Sequence, residues 1–280
     1  MNPTILELFA KEPNRSRDFR VSEGDWYYDF SHLPLSIHAK EALLSTFLSQ
    51  QPAQAIDALF GGEMVNGSEA QPALHARLRS TDDAQVQHQK SRFLAVAERL
   101  YTGQSGLTDL IHIGIGGSDL GPRLVADALD AGHSAVNVHW LATADGRRLK
   151  RLMSTLNPET TGLVIASKSF STEETLAQAE HLKTWLGERF ANQVWAATAN
   201  PERAQAFGVP AEHVLSFPHW TGGRFSLWSS VGVSAAAVIG TDAFQALLDG
   251  AHEADQRYQQ APNAWHDSLA VWIALSVDHL

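Results

Sequence analysis

Short apolar runs alternate with helical patterns from residue 107 onward, and this alternation limits the possible folds more than any other feature. The segments predicted as strands are residues 110–113, 136–141, 162–166 and 193–197, with 214–217 as a candidate fifth. The segments predicted as helices are residues 120–129, 147–156 and 172–190. Strands that alternate with helices indicate βαβ units. The sequence therefore predicts an α/β fold with a mostly parallel sheet.

The regions on either side of this alternation are predicted to be helical. Residues 1–100 form an N-terminal segment of helices and loops, which ends with helical spacing of apolar residues across 84–100. Residues 101–235 form the α/β domain, and residues 236–280 form helices that lead to a second domain.

Two stretches, 226–239 and 268–277, are rich in small or apolar residues. A helix that is apolar on nearly all sides is normally buried, and few residues remain to cover these two. We therefore expect that the chain is truncated and that a missing second domain would cover this surface.

Composition excludes several classes of function. The chain has no cysteine, which removes disulfides, thiol catalysis and cysteine-based zinc sites. A net charge of −10 without a long Lys/Arg run argues against nucleic-acid binding. The histidines are scattered and form no metal-binding motif. No apolar stretch has the length of a membrane span and no secretory signal is present, so we expect a cytoplasmic protein that binds neither membrane nor metal.

The loop after the first predicted strand, residues 114–122, places three glycines in four positions. Glycine lets the backbone approach a ligand closely, and the side chain of Ser118 or Asp119 could cap the next helix. The dinucleotide fingerprint and the Walker A lysine are both absent, which disfavours a nucleotide-dependent oxidoreductase. The loop is either a ligand-binding turn or a tight turn whose glycines serve packing alone.

The loop after the third predicted strand, residues 167–175, carries five hydroxyl side chains and Lys168. Ser171 and Glu174 match the spacing of a capping box, which predicts where the next helix begins. Hydroxyls, free amides and the positive end of a helix dipole suit a phosphate; Lys168 either assists or faces solvent. The alternative is a Ser/Thr-rich turn that only caps its helix. Two such loops at one edge of a sheet, where ligands bind, favour an anion site.

A third segment, residues 222–229, begins with a glycine pair followed by Arg224. The glycines allow the backbone to approach a ligand, and a guanidinium offers fork-shaped donors to oxyanions. The alternative is that Arg224 pairs with a structural carboxylate.

Together these segments resemble the glucose-6-phosphate isomerase family. Residues 113–122 look like that family's first glycine loop, residues 167–175 are similar to its phosphate loop, and residues 222–229 are similar to its arginine signature. Order and approximate spacing agree from about residue 55 to residue 235. The resemblance implies an α/β three-layer sandwich with a mostly parallel sheet, the sugar-isomerase type of domain, and flanking helices.

The resemblance also implies roles for individual residues. It assigns the substrate phosphate to Ser167, Lys168, Ser169 and Thr172, the sugar to Gly117 and Ser118, and the charge of an enediol intermediate to Arg224. Lys168 would supply backbone contacts or charge. The implied reaction is the reversible conversion of glucose 6-phosphate and fructose 6-phosphate, which transfers a proton between C1 and C2 through a carboxylate base. The resemblance implies a phosphorylated hexose as the partner, a homodimer for the full-length protein and no cofactor.

The sequence departs from the family pattern in ways that bear on activity. The family's base lies in a Glu-Ser-Asn-Gly-Lys segment, which is absent here, as are its histidine and C-terminal lysine segments. Residues 217–221 differ from the usual aromatic and acidic pattern, and serines replace the usual threonines at Ser169 and Ser171. We therefore expect this chain alone to be inactive. The alternative function is that of a non-catalytic phosphosugar-binding module.

Overall fold

A computed structural model describes residues 3–23, 26–49, 51–68 and 70–260. Its described residues divide into two compact units, a smaller one of residues 3–65 and 254–260 and a larger one of residues 66–253. The predicted apolar stretch 268–277 lies outside the described residues. The domain boundaries inferred from the sequence stay a prediction.

The smaller unit combines helices with a two-stranded antiparallel sheet. Its elements are α1 (Ile5–Lys11), α2 (Arg15–Asp18), β1 (Arg20–Glu23), β2 (Trp26–Asp29), α3 (Ile37–Ser49) and α4 (Pro52–Gly61). The sequence predicted only helices and loops here, so the hairpin is a correction. Each strand has only four residues, too few for a period-two pattern to stand out. The buried Arg15 donates to the carbonyls of Ser31 and Leu35, which ties the loop after the hairpin to α2.

The larger unit contains the α/β domain. Its strands are β3 (Asp109–Ile113), β4 (Asn137–Leu141), β5 (Thr161–Ala166), β6 (Val194–Thr198) and β7 (Val214–Ser216). Its helices are α5 (Ala84–Tyr101), α6 (Leu120–Leu129), α7 (Gly146–Thr155), α8 (Glu173–Leu186), α9 (Phe190–Gln193), α10 (Pro201–Phe207) and α11 (Val233–Ile239), and α12 (Thr241–Gln260) begins in this unit. The sheet runs in the order β4-β3-β5-β6-β7 with every pair parallel.

Helices cover both faces of this sheet, which confirms the predicted three-layer sandwich. Alternate residues of a strand point to opposite faces, and in β5 Val164 enters the core shared with α5, α6 and α11. Leu163 and Ile165 enter the core shared with α7, α8 and α10. Every residue of β5 and β6 is buried, as expected for parallel strands with helices on both sides.

The predicted helix over residues 172–190 is shorter than expected. α8 ends at Leu186 because Gly187, with φ of 57°, takes a backbone conformation that a helix cannot continue. A short 3₁₀ turn and α9 follow.

The stretch 226–239, which is rich in small or apolar residues, packs against other elements of the larger unit. Every residue of α11 is buried, and the helix packs against α5 and α6. The stretch also packs against α12, because a Cβ on Gly232 would lie 2.6 Å from the ring of Phe244. The expectation that a missing domain must cover this stretch was therefore wrong. None of the described helices is both long and apolar enough to cross a membrane.

Candidate functional site

A cavity of about 430 Å³ lies at the carboxyl ends of β3 and β5 in the larger unit. The chain leaves β3 for β4 on one side and then returns to β5 on the other side, so the strand order reverses at this point. Such switch points are where parallel α/β sheets bind ligands. The cavity is lined by Ile115, Gly117, Ser118, Ala166, Ser167, Lys168, Ser169, Thr172, Thr175, Asn200, His219, Gly223 and Ser226.

The glycine loop after β3 depends on backbone contacts that leave no room for side chains. A Cβ on Gly114 would lie 2.5 Å from the carbonyl oxygen of Ser118. A Cβ on Gly117 would overlap the carbonyl group of Gly223, so the loop packs directly on the arginine segment. Glycine at these positions therefore serves close backbone packing, and Gly117 and Ser118 still line the cavity.

Asp119 occupies the N-cap position immediately before α6. Its side chain makes no capping hydrogen bond, and Ser118 is not at the N-cap position, so neither of the two candidate residues caps the helix. The Asp119 carboxylate instead forms an ion pair with Arg123 at 2.7 Å. Burial raises the pKa of Asp119, and its Oδ1 atom has no hydrogen-bond partner among the described residues.

The Ser/Thr loop after β5 is tied by its backbone to the end of β6. The Ser167 amide donates to the carbonyl of Ala197 at 3.0 Å. The carbonyl of Lys168 accepts from the Ala199 amide at 3.0 Å and from the Thr198 hydroxyl at 3.1 Å. These bonds fix the main chain of the loop, and they therefore fix the positions from which its side chains extend to the cavity.

The hydroxyls of this loop pair with one another at the cavity. Ser167 and Thr172 share a hydrogen bond of 3.2 Å between their side-chain oxygens, and Ser171 donates to Ser169 at 2.7 Å. The predicted capping box at Ser171 is wrong, because Thr172 occupies the N-cap position and α8 begins at Glu173. The first amides of a helix have no intrahelical partners, and here the N-cap side chain does not bond to them either.

Phe170 anchors the middle of the Ser/Thr loop. Its backbone is left-handed, with φ of 48°, which is unusual for a residue with a large side chain. Its ring is buried and meets Phe207 of α10 edge to face, with centroids 5.8 Å apart. Aromatic burial offsets the backbone strain and holds Ser169 and Ser171 on either side of it.

Arg224 is exposed and does not line the cavity, although Gly223 before it does. Its guanidinium carbon lies 5.1 Å from the ring centroid of Phe225, and it forms no ion pair with a described residue. The side chain of Lys168 passes close to Gly222, where an added Cβ would lie 3.2 Å from Nζ. The structure thus brings six of the seven predicted site residues to one cavity, and the seventh lies beside it.

Sequence comparison identifies the family. The family model described as phosphoglucose isomerase matches residues 29–276. The chain belongs to the phosphoglucose isomerase family. Glucose-6-phosphate isomerase from Stenotrophomonas maltophilia (strain K279a) is 40% identical over 92% of this chain and 53% of its own length. The enzyme of that name from Christiangramia forsetii is 32% identical over 98% of this chain and 54% of its own length. The chain thus spans about half the length of these relatives.

Solved structures agree with this phosphoglucose isomerase fold. The crystal structure of a glucose-6-phosphate isomerase from Chlamydia trachomatis superposes with a TM-score of 0.81 at 24% identity, over 98% of this chain and 56% of that one. A hypothetical protein from Thermus thermophilus superposes with a TM-score of 0.66 at 29% identity, over 85% of this chain and 54% of that one.

The cavity of this chain includes two polar residues that the sequence motifs did not single out as site residues, Asn200 and His219, and it also includes Thr175, one of the five hydroxyl residues of the Ser/Thr loop. Asn200 was detectable, since an Asn-Pro pair after a strand marks a helix start, and its side chain does accept from the Arg203 amide at 3.2 Å. His219 gave no local signal, because only the folded chain brings its segment to this edge. Among the described residues, no group of three or more potential ligands could hold a metal ion.

Proposed function

We propose that this chain carries the phosphosugar-binding part of a glucose-6-phosphate isomerase active site. In the complete protein, the reaction would be the reversible isomerisation of glucose 6-phosphate and fructose 6-phosphate through an enediol intermediate. Ser167, Ser169 and Thr172 would hold the phosphate with the first amides of α8, and Lys168 would add charge. Gly117 and Ser118 would contact the sugar.

One observation carries the proposal: the two predicted loops meet at one open cavity at the switch point of the sheet. The hydroxyls of Ser167 and Thr172 line a space large enough for a hexose phosphate and bond to each other, so a phosphate oxygen can take the place of their mutual bond. Uncapped amides at the N-terminus of α8 add donors and a favourable dipole. Family membership favours an isomerase over a binding module of unrelated function.

Arg224 would act on the intermediate once substrate is bound. Its exposed side chain follows a glycine that lines the cavity, so a rotamer change can bring the guanidinium toward an enediolate. The sequence contains no Glu-Ser-Asn-Gly-Lys segment to supply the family's base. We therefore propose that this chain alone binds the hexose phosphate without interconverting it, and that the complete protein acts as a cytoplasmic homodimer.

Calorimetric titration with fructose 6-phosphate tests the binding. We expect the Ser169→Ala and Thr172→Ala variants each to weaken affinity by roughly tenfold, because each removes a hydroxyl that would bond to a charged phosphate. Thr184→Ala is the matched control. The Thr184 hydroxyl lies on α8, the helix that follows the Ser/Thr loop, but it bonds to the Glu180 carbonyl and does not line the cavity.

Binding by the unmodified chain that is weakened in both variants and kept in the control would support the phosphate site. Equal affinity in all four proteins would contradict it. Following the same samples by an isomerase assay distinguishes binding from turnover, and measurable turnover by this chain would contradict the proposed inactivity.

A further inference from the structure

His112 of β3 is a buried histidine two residues before the first glycine of the glycine loop. Its side chain has no exposed surface, and its ring packs on Trp140 of the neighbouring strand β4 with centroids 4.8 Å apart. It does not line the cavity. An aliphatic residue would fill such a core position without needing partners, so the polar ring calls for another explanation.

Both ring nitrogens of His112 form hydrogen bonds of 2.8 Å. Nε2 bonds to the carbonyl oxygen of Ser118 in the glycine loop, and Nδ1 bonds to the hydroxyl of Ser234 in α11. A carbonyl can only accept, so Nε2 carries the proton, and in the neutral ring Nδ1 accepts from Ser234. Burial lowers the pKa of His112 to about 4, so the ring is neutral near pH 7.

The Ser118 carbonyl group is held by contacts with two other residues, Gly114 and His112. It belongs to the turn that presents Gly117 and Ser118 to the cavity, and the Gly114 backbone packs against it too closely for any side chain. The peptide that carries this carbonyl therefore has one orientation, and the His112 ring fixes it from beneath. α11 in turn fixes the ring, because every residue of that helix is buried.

We propose that His112 is a positioning residue for the sugar-contacting loop, holding Gly117 and Ser118 at the cavity through the Ser118 carbonyl while Ser234 fixes its tautomer. This inference rests on the proposed function. It predicts that His112 matters for the sugar and not for the phosphate, because the Ser/Thr loop is held by separate bonds to β6.

The test compares the affinities of two ligands, fructose 6-phosphate and inorganic phosphate, in the full chain. His112→Phe keeps an aromatic ring against Trp140 but removes both hydrogen bonds, and we expect roughly tenfold weaker binding of fructose 6-phosphate. Affinity for inorganic phosphate should stay within about twofold. His112→Gln should restore most of the loss, because its amide N–H can donate to the Ser118 carbonyl.

His139→Phe is the matched control, because His139 lies on β4 and pairs with Asp109 at the opposite end of the sheet. This variant should bind both ligands as the unmodified chain does. Equal loss of both ligands in His112→Phe, or no loss of either, would overturn the inference while leaving the proposed function intact. Failure of the unmodified chain to bind either ligand would refute the proposed function and this inference with it.

Nitrogen-15 NMR of the imidazole gives a readout that does not depend on the His112 variants folding. The unmodified chain should show His112 protonated at Nε2 alone, and Ser234→Ala should weaken that preference. A ring protonated at Nδ1 in the unmodified chain would overturn the proposed hydrogen bond to Ser118.

Discussion

The glycine loop after β3 and the Ser/Thr loop after β5 line the same cavity, but different contacts hold them. The glycine loop is fixed by close backbone packing against the arginine segment and by a buried histidine beneath it. The Ser/Thr loop is fixed by main-chain bonds to β6 and keeps its hydroxyls at the cavity surface. The first loop is therefore sensitive to added volume, and the second to lost polar groups.

The largest expected effect comes from Gly117→Ala, which tests the packing of the glycine loop. Its new Cβ would overlap the Gly223 carbonyl, and overpacking against rigid backbone costs about 3 kcal/mol or displaces both segments. Urea denaturation measures the free energy of unfolding. Gly146→Ala is the control, because a Cβ there meets no atom within 4 Å. Equal stabilities of the two variants would mean that the close packing does not constrain the loop.

The second prediction concerns pH and the histidine beneath the glycine loop. In the unfolded chain His112 titrates near 6.5, and in the fold near 4. Between these values the unfolded state binds the proton, so the free energy of unfolding falls as pH decreases through this window. The loss attributable to His112 should be about 2 kcal/mol between pH 7 and pH 4.5.

Urea denaturation of the unmodified chain and of His112→Gln at both pH values isolates this effect. Glutamine does not titrate, so the variant should lose less stability on acidification. Parallel pH profiles for the two proteins would show that the ring is not held neutral by burial.

The third prediction tests the polar character of the Ser/Thr loop. Lys168→Gln should weaken the binding of inorganic phosphate by roughly tenfold and reduce its dependence on salt, because a cation at the cavity is lost. Lys150→Gln, an exposed site on α7, is the control for overall charge. Binding that is unchanged in Lys168→Gln would assign the side chain a structural role only.

The smallest expected effect separates two roles of Asn200. Asn200→Ala removes the N-cap of α10 and should lower stability by about 1 kcal/mol. Asn200→Ser keeps a capping oxygen but loses the amide that borders the cavity. If only the alanine variant weakens phosphate binding, Asn200 acts through the helix start; if both do, the amide itself meets the ligand.

Sequence patterns predicted the elements whose signals are local. The strand predicted at residues 162–166 is β5, Thr161–Ala166, and the helix predicted at residues 120–129 is α6 with the same limits. The spacing of apolar residues and the positions of glycines are sufficient to predict these two elements. Six of the seven residues predicted for the site line one cavity because parallel strands bring their carboxyl ends to the same edge.

The errors concern features that depend on distant contacts or on single rotamers. The burial of α11 depends on α5, a helix far away in the sequence that no local pattern pairs with it. The capping box failed because Ser171 bonds to Ser169 instead of to the helix amides, a choice between two nearby partners. His112 carried no motif, and its role follows only from the positions of Ser118 and Ser234.

Phe170, with its left-handed backbone, places its ring from the Ser/Thr loop into the hydrophobic core that α10 covers. Because aromatic packing with Phe207 offsets that strain, the loop conformation depends on a side chain in α10 that no ligand would touch. A replacement at Phe207 that loosened this packing would let the segment relax to an ordinary extended chain. The proposed phosphate site would then weaken through a change in the core, with every hydroxyl of the loop unchanged.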